Sequence, residues 1–423
     1  MPATPSDVNI KARWIAPMSG EEELLEAHTL VIRDGRILDV LPHSAASERY
    51  APRVELDRPT HVAMPGLVNA RTRLAPLPDA SGEGFWSDGA LLGVANMLKS
   101  GITCFCDAGC FPPDVAAVAA AQGLRTVIGL PVAAHSSAWA RTPGEYLTRA
   151  LELRDRYKLH PSISARFAPL RAEHLDDETL GRLATLAAEL DAGILLSLHE
   201  SRHEVDASVR LRGKRPLQRF QDIGLLGPAS TVSHLTSLDD ADLDLVVRSG
   251  AAVTLCLASG LMRGHGVPPL AALQLPPLRL SLGTDAEHCG PGQDLWSEIR
   301  LLALHAPGMN PGSVLAAATR GGAAALGLDG ETGTLEPGKW ADVCCVDLSG
   351  PATQPMDDPL RRLAFAGGRD LVSDVWVGGR QLLAEGRFTR LDWPRLASSL
   401  AAKHPSPSGP SPAPHATLTE IRP

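Results

Sequence analysis

The chain has 423 residues, which is enough to bury the core of a large barrel together with a second, smaller unit. Its composition of 44% hydrophobic and 21% charged residues is ordinary for a globular protein, and a formal net charge of -8 offers no basic surface for nucleic acid. No stretch has the pattern of a signal peptide or reaches the about 20 apolar residues of a membrane span. We therefore expect a cytoplasmic protein whose partners include neither nucleic acid nor a membrane.

The amino-terminal segment, residues 1–60, has the pattern of β-structure. In the stretch TLVIRDGRILDVLP, two runs of β-forming residues flank Asp34 and Gly35, a dipeptide typical of a tight hairpin. These few strands are not enough to bury a hydrophobic face of their own. The segment therefore needs a packing partner elsewhere in the chain.

Residues 61–340 alternate short apolar runs with helical segments, which favours a parallel barrel. The fold class that we predict is α/β, with a distorted (β/α)8 TIM barrel as the larger unit. An open doubly wound sheet is the competing architecture, but no run is followed by a glycine-rich dinucleotide fingerprint. The eight predicted strands are 63–70, 101–106, 125–132, 163–168, 193–199, 231–234, 251–257 and 280–285.

The carboxyl-terminal segment, residues 341–395, offers further strands in ADVCCVDL, DVWVGG and RQLLAEGRF. We expect it to fold with residues 1–60 into a small β-sandwich beside the barrel, since neither segment suffices alone. Beyond it, residues 396–423 are rich in proline and serine, especially after His404. The predicted state of this tail is disordered.

The seven cysteines are scattered rather than arranged as a disulfide framework, which fits a reducing compartment. Three of them, Cys104, Cys106 and Cys110, lie close together. Their C-x-C-x3-C spacing matches no standard zinc motif. We expect them to pack in the core.

Five segments at or near predicted strand ends carry a family resemblance. They are MPGLVNARTRL (64–74), LHESRHEV (198–205), VSHLTS (232–237), LGTDAEHC (282–289) and TGTLEPGKWADVCCVDL (332–348). In this order they resemble landmarks of the amidohydrolase superfamily, and within it the TRZ/ATZ branch of methylthioadenosine/S-adenosylhomocysteine deaminases and triazine hydrolases. The resemblance extends from about residue 7 to residue 395, and it implies hydrolysis of non-peptide carbon–nitrogen bonds in purine-like or triazine-like rings.

The resemblance also implies one zinc or iron ion that lowers the pKa of a bound water. In the family the ligands are a His-x-His pair after strand 1, a histidine on strand 5, a histidine on strand 6 and an aspartate on strand 8. His234 and Asp285 match the last two ligands. Glu200 matches the glutamate that shuttles a proton to the leaving group. These three are the candidate catalytic residues, and His234 and Asp285 are the candidate metal ligands if a metal is bound at all.

This sequence departs from the family pattern at the other ligands and at some further positions. Arg71 and Arg73 stand at the His-x-His positions, and an arginine offers only donors, so it cannot ligate a cation. Ser197 stands at the strand 5 position. Besides the ligands, the family's strand 7 histidine and asparagine are replaced by Leu255 and Gly260, and a substrate-contacting histidine expected after strand 4 is replaced by Leu170. We expect no cofactor, and we predict that Asp285 pairs with Arg71 or Arg73.

Other interpretations of the site remain open. His234, Asp285, His288 and Cys289 have side chains that suit zinc in a rearranged site. Arg71 and Arg73 are also candidate substrate-binding residues for a carboxylate or phosphate. Trp86, which follows predicted strand 1, either lines a ligand pocket at the strand ends or only covers the open end of the barrel.

Two hypotheses about function follow from these residues. The first is a hydrolase with impaired activity, in which Glu200 is the acid/base. The second is a catalytically silent paralogue that binds an anionic small molecule or serves as an oligomer partner. We expect a homodimer or a hetero-oligomer with an active paralogue. His199 and His203, beside Glu200, are further polar groups near the same strand end.

Overall fold

The computed structural model describes residues 3–20, 24–74, 85–109, 111–137, 139–274, 278–285 and 293–403. The strands in these residues form two sheets of eight. In chain order they are β1 (Thr4–Ile15), β2 (Leu25–Arg33), β3 (Arg36–Pro42), β4 (Tyr50–Pro65), β5 (Leu67–Thr72), β6 (Ile102–Asp107), β7 (Arg125–Val132), β8 (Ile163–Pro169), β9 (Ile194–Leu198), β10 (Ser230–His234), β11 (Ala252–Leu255), β12 (Leu280–Leu282), β13 (Val343–Asp347), β14 (Val372–Val377), β15 (Arg380–Ala384) and β16 (Arg387–Phe388).

The helices lie mainly between the strands of the second sheet, and among the described residues none is both long and apolar enough to cross a membrane. They are α1 (His43–Arg49), α2 (Phe85–Lys99), α3 (Pro112–Gln122), α4 (Pro143–Tyr157), α5 (Asp177–Glu189), α6 (Arg202–Arg212), α7 (Pro216–Ile223), α8 (Asp240–Ser249), α9 (Leu257–Met262), α10 (Leu270–Leu273), α11 (Leu295–His305), α12 (Pro311–Ala317), α13 (Arg320–Ala325), α14 (Pro359–Ala366) and α15 (Trp393–Lys403).

Strands β5 to β12 form the predicted parallel barrel. Each strand is hydrogen-bonded to the next one in the chain. The last strand returns to the first, because the Asp285 N–H donates to the Arg71 carbonyl over 3.0 Å. A Cβ atom on Gly283 would lie 2.8 Å from the backbone of Arg71, so glycine is needed where the barrel closes. The (β/α)8 prediction is confirmed.

The barrel interior is packed rather than hollow. Small and apolar side chains from several strands meet there, and Ala323 and Ala325 of α13 join them. Cys104 and Cys106 belong to this cluster and are fully buried, as expected, whereas Cys110 lies outside the described residues. Because the interior is filled, a site in this barrel is expected beyond the carboxyl ends of the strands.

The other sheet combines both ends of the chain, which confirms the predicted terminal β-unit. Its strand order is β16-β15-β14-β13-β4-β1-β2-β3, so β13 pairs with β4 and joins the carboxyl-terminal strands to the amino-terminal ones. Ile10, Ile37 and Trp376, from distant parts of the sheet, share one core. The hairpin turn lies at Asp34 and Gly35 as predicted, and both residues have the positive φ that such a turn requires.

Two predicted boundaries differ from the structure. Residues 61–65, assigned to the barrel by sequence, belong to β4 of the terminal sheet, and the apolar run 63–70 is two strands divided at Gly66. Hydrophobic pattern alone does not mark this division. The prediction of a disordered 396–423 is wrong for residues 396–403, because α15 extends to Lys403 and buries Leu396 in the main core. Residues 404–423 lie outside the described residues.

Candidate functional site

The carboxyl ends of four barrel strands bring the candidate residues together. Arg71 lies in β5 and Arg73 follows it, Glu200 follows β9, His234 ends β10, and Asp285 follows β12. Residues after neighbouring parallel strands meet at one end of a barrel. We call this end the barrel mouth.

Asp285 is the centre of the cluster, and its side chain is fully buried. Its Oδ1 accepts a hydrogen bond from Arg71 Nε over 3.0 Å and lies 3.1 Å from Arg73 Nε. Its Oδ2 lies 3.3 Å from His234 Nε2 and accepts from Ser259 Oγ over 3.3 Å. Burial raises the pKa of Asp285, but Arg71, His234 and Arg73 together outweigh it and hold the pKa well below its usual range. The group is therefore a carboxylate, and the predicted ion pair forms with both arginines.

The backbone is strained where the strands end at the mouth. The φ angles of His199, His234 and Asp285 are 55°, 77° and 39°, in the left-handed region that favours glycine. Such conformations cost about 1–3 kcal/mol each and persist only where surrounding contacts hold them. At Asp285 those contacts are the ion pairs with the arginines.

Glu200 is held less tightly than Asp285. Its Oε1 lies 3.4 Å from His234 Nε2 and 3.9 Å from Arg73 Nη2, and its Oε2 accepts from Arg263 Nη1 over 3.2 Å. Burial raises its pKa and Asp285 adds to this, but His234, Arg71 and Arg73 lower it further, so the net pKa is below the ordinary value. Glu200 is thus a second carboxylate at the mouth.

Arg263 is a site residue that the sequence interpretation missed. It directly follows α9, and its two Nη atoms reach both acids: Nη1 donates to Glu200 Oε2 and Nη2 to Asp285 Oδ2, over 3.2 and 3.5 Å. Its side chain is 30% exposed. No motif marks the stretch LMRGHG, so the only available signal was its place between predicted strands 7 and 8.

A buried glutamate, Glu298 of α11, fixes the start of the helix that precedes Arg263. Its carboxyl oxygens accept from the Leu257 N–H over 2.7 Å and from the Ala258 N–H over 3.2 Å. Burial, only partly opposed by these hydrogen bonds, raises the pKa of Glu298 to about 8. No sequence motif marks this residue either.

Glu204 anchors the backbone at Glu200, as Glu298 anchors the start of the helix that precedes Arg263. Its carboxyl oxygens accept from the His199 N–H over 3.1 Å and from the Glu200 N–H over 2.7 Å. Burial raises the pKa of Glu204 to about 7. The backbone that presents Glu200 is therefore anchored independently of the Glu200 side chain.

The other positions at which this sequence departs from the family pattern have different contacts. Ser197 Oγ accepts a hydrogen bond from Arg71 Nη2. Leu255 is completely buried in the main core, and Gly260 lies within α9. Leu170 packs partly buried against the same core.

The remaining predicted groups either lie away from the cluster or outside the described residues. His199 is completely buried, its Nδ1 lies 3.0 Å from the Ser237 carbonyl, and its Nε2 accepts from the Leu217 N–H over 3.3 Å, so it supports structure. His203 is exposed on α6. His288, Cys289 and the side chain of Trp86 lie outside the described residues.

The described side chains do not fit the expected zinc or iron. Among the described residues, no group of three or more histidine, cysteine, aspartate or glutamate side chains could hold a metal ion. Asp285 Oδ1, one of the few matching donors, is already in contact with two guanidinium groups. Since guanidinium stays protonated, these groups bring positive charge and no lone pair to a cation.

Comparison with known proteins identifies the family of this chain. The family model described as "Amidohydrolase family" matches residues 62–382. A 5-methylthioadenosine/S-adenosylhomocysteine deaminase from Teredinibacter turnerae is 34% identical, over 94% of this chain and 97% of the relative. A deaminase of the same name from Saccharophagus degradans is 33% identical, over 94% and 96%.

Solved structures agree with this assignment. An adenosine deaminase from Xanthomonas campestris with bound zinc is 34% identical and superposes with a TM-score of 0.92, covering 95% of this chain and 99% of that chain. A triazine hydrolase from Arthrobacter aurescens shares the fold, with a TM-score of 0.84 at 20% identity and coverage of 95% and 100%. The chain therefore belongs to the amidohydrolase family.

Proposed function

We propose that this chain is an amidohydrolase-family protein that has lost metal-dependent hydrolysis of carbon–nitrogen bonds and keeps the barrel mouth as a binding site for a small polar molecule. One observation carries the proposal. The oxygen Asp285 Oδ1 is in contact with Arg71 Nε at 3.0 Å and with Arg73 Nε at 3.1 Å. In the family pattern this carboxylate would face a dication.

Electrostatics supports the proposal, because each arginine would repel a metal ion bound beside it. Two unit charges about 4 Å apart interact by about 4 kcal/mol at an effective dielectric constant of 20. A dication at that distance from one guanidinium would thus meet a repulsion of about 8 kcal/mol. Arg71 cannot relieve this by losing its proton or easily by moving, because it is buried and also bonded to Ser197.

A second candidate function is deamination of a purine-like ring without the usual metal, with Glu200 as acid/base. It is favoured by the names of the relatives that are 33–34% identical over nearly the whole chain, and by the position of Glu200 at the mouth. Its weakness is water activation, which the metal supplies in the family. No described group at the mouth offers an equivalent Lewis acid.

Metal content and ammonia release together test the proposal. We expect less than about a tenth of an equivalent of zinc or iron in protein purified without chelator, against the one ion of a mononuclear site. We also expect no ammonia from 5-methylthioadenosine, S-adenosylhomocysteine, adenosine or triazine analogues. The zinc-bound Xanthomonas campestris adenosine deaminase is the positive control. Ammonia release that Glu200→Gln abolishes, from metal-free protein, would support the second candidate instead.

A further inference from the structure

The two carboxylates at the mouth differ in how firmly they are held. Asp285 is fully buried, and one of its oxygens has arginine nitrogens at 3.0 and 3.1 Å. The Glu200 side chain is 23% exposed; it accepts a hydrogen bond from Arg263 over 3.2 Å, and its contacts with His234 and Arg73 are longer, at 3.4 and 3.9 Å. Of the two, Glu200 is therefore the carboxylate that can leave its contacts at lower cost.

The cations around Glu200 are also accessible from solvent. Arg73 and Arg263 have side chains that are 21% and 30% exposed, whereas Arg71 is 7% exposed. They approach Glu200 through different oxygens, Arg73 toward Oε1 and Arg263 toward Oε2. Two guanidinium groups thus converge on one carboxylate at the outer side of the mouth.

We infer that Arg73 and Arg263 form a binding site for the carboxylate group of a small organic acid, a site that the Glu200 side chain fills when no ligand is present. The inference rests on the proposed function and names the class of its ligand. Guanidinium groups bind carboxylates through paired, charge-assisted hydrogen bonds. The space already accepts a carboxylate of the same size, which favours this group over a larger tetrahedral anion.

Replacement of the Glu200 carboxylate by the carboxylate of a ligand requires little movement of the fold. The backbone of Glu200 stays fixed, since its N–H donates to Glu204 over 2.7 Å and its carbonyl accepts from Thr236 Oγ1 over 2.7 Å. Only the side chain of Glu200 has to rotate toward solvent. Asp285 remains in place and continues to balance the positive charge of Arg71.

The experiment uses acetate as the probe on the full-length protein. Acetate is titrated against sodium chloride at constant ionic strength, and binding is followed by calorimetry and by saturation-transfer NMR. The metal content of the same preparation is measured first. We expect saturable binding of acetate by the wild-type protein and no comparable effect of chloride.

Four variants make the test specific. Glu200→Gln keeps the shape but removes the competing charge, so acetate should bind about tenfold more tightly. Arg263→Met should weaken binding about tenfold, and Arg263→Lys, which keeps the charge but not the paired donors, should give an intermediate loss. Arg362→Met is the matched control, because Arg362 is similarly exposed at 26% and pairs with Asp357 far along the chain from the mouth segments. It should change nothing.

The outcomes separate this inference from the function on which it rests. Equal responses to acetate and chloride, in both the wild type and Glu200→Gln, would overturn the carboxylate site. If the protein in that experiment is free of metal, the proposed function still stands. Binding of inorganic phosphate as tight as that of acetate, with the same loss in Arg263→Met, would overturn the carboxylate class. Near one equivalent of bound metal would overturn the proposed function itself.

Discussion

The ion pair between Arg71 and Asp285 should carry a measurable part of the stability of this protein. Both side chains are buried, with 7% and 0% exposure, and their atoms are 3.0 Å apart. Removing one partner of a buried pair leaves an uncompensated charge and typically costs about 3–5 kcal/mol. Asp285→Asn should therefore lower the free energy of unfolding by about that amount, because Arg71, Arg73 and Arg263 all lose the same partner.

A double-mutant cycle separates the pair from its surroundings. Arg71→Met should cost less than Asp285→Asn, since Asp285 keeps its contacts with Arg73 and Arg263. The double variant should be more stable than the sum of the single losses predicts, by about 0.5–3 kcal/mol. Urea denaturation followed by circular dichroism measures all four proteins.

A more exposed pair provides the control for this cycle. Arg362 and Asp357 are 2.9 Å apart with side chains 26% and 54% exposed, and breaking them should cost no more than about 1 kcal/mol. If Asp285→Asn costs as little as Asp357→Asn, or if the Arg71 and Asp285 losses simply add, the description of the mouth as a charge-compensated cluster is refuted.

Three further predictions concern metal, pH and packing. Prolonged treatment with EDTA should leave the thermal unfolding midpoint unchanged, because the described residues contain no group of side chains that could hold a metal ion. A fall of several degrees would contradict this. Burial raises the pKa of Glu298 from 4.5 to about 8, so the folded state keeps a proton that the unfolded chain releases, and stability should fall as pH rises from 4.5 to 8. Glu298→Gln, which stays neutral, should flatten that decline in urea titrations at pH 5 and pH 8, and an unaltered slope would count against the assignment. Gly283→Ala should destabilise by about 1–3 kcal/mol in the same assay, because its Cβ would lie 2.8 Å from the Arg71 backbone, whereas the open position Gly144→Ala should not.

Much of the architecture was predictable because it follows from periodicity. Eight apolar runs separated by helical segments predict a parallel barrel, and the strand ends of such a barrel must meet. This geometry is why the sequence alone predicts that Arg71 and Asp285, 214 positions apart, form a pair. The terminal β-unit was predictable for a different reason, since neither end had enough strands alone.

The parts that were missed lack a local signal. Arg263 follows a helix of six residues, too short to show periodicity, and its role depends on where α9 points. Glu298 lies in an ordinary amphipathic helix, and only the fold brings it to the start of α9. The division of the run 63–70 at Gly66 arises from tertiary packing, because a Cβ there would lie 2.1 Å from the Thr103 side chain. The part of α15 from residue 396 onward is assigned to the tail by sequence, because composition alone does not reveal that Leu396 reaches the core.

Zinc content tests the central claim most directly. The protein would be expressed in zinc-supplemented medium, purified without chelator and analysed by elemental mass spectrometry beside its Asp285→Asn variant. The replacement of ligands by Arg71 and Arg73 predicts less than about a tenth of an equivalent in both proteins. Near one equivalent in the wild type that disappears in Asp285→Asn would contradict the account and establish a rebuilt metal site.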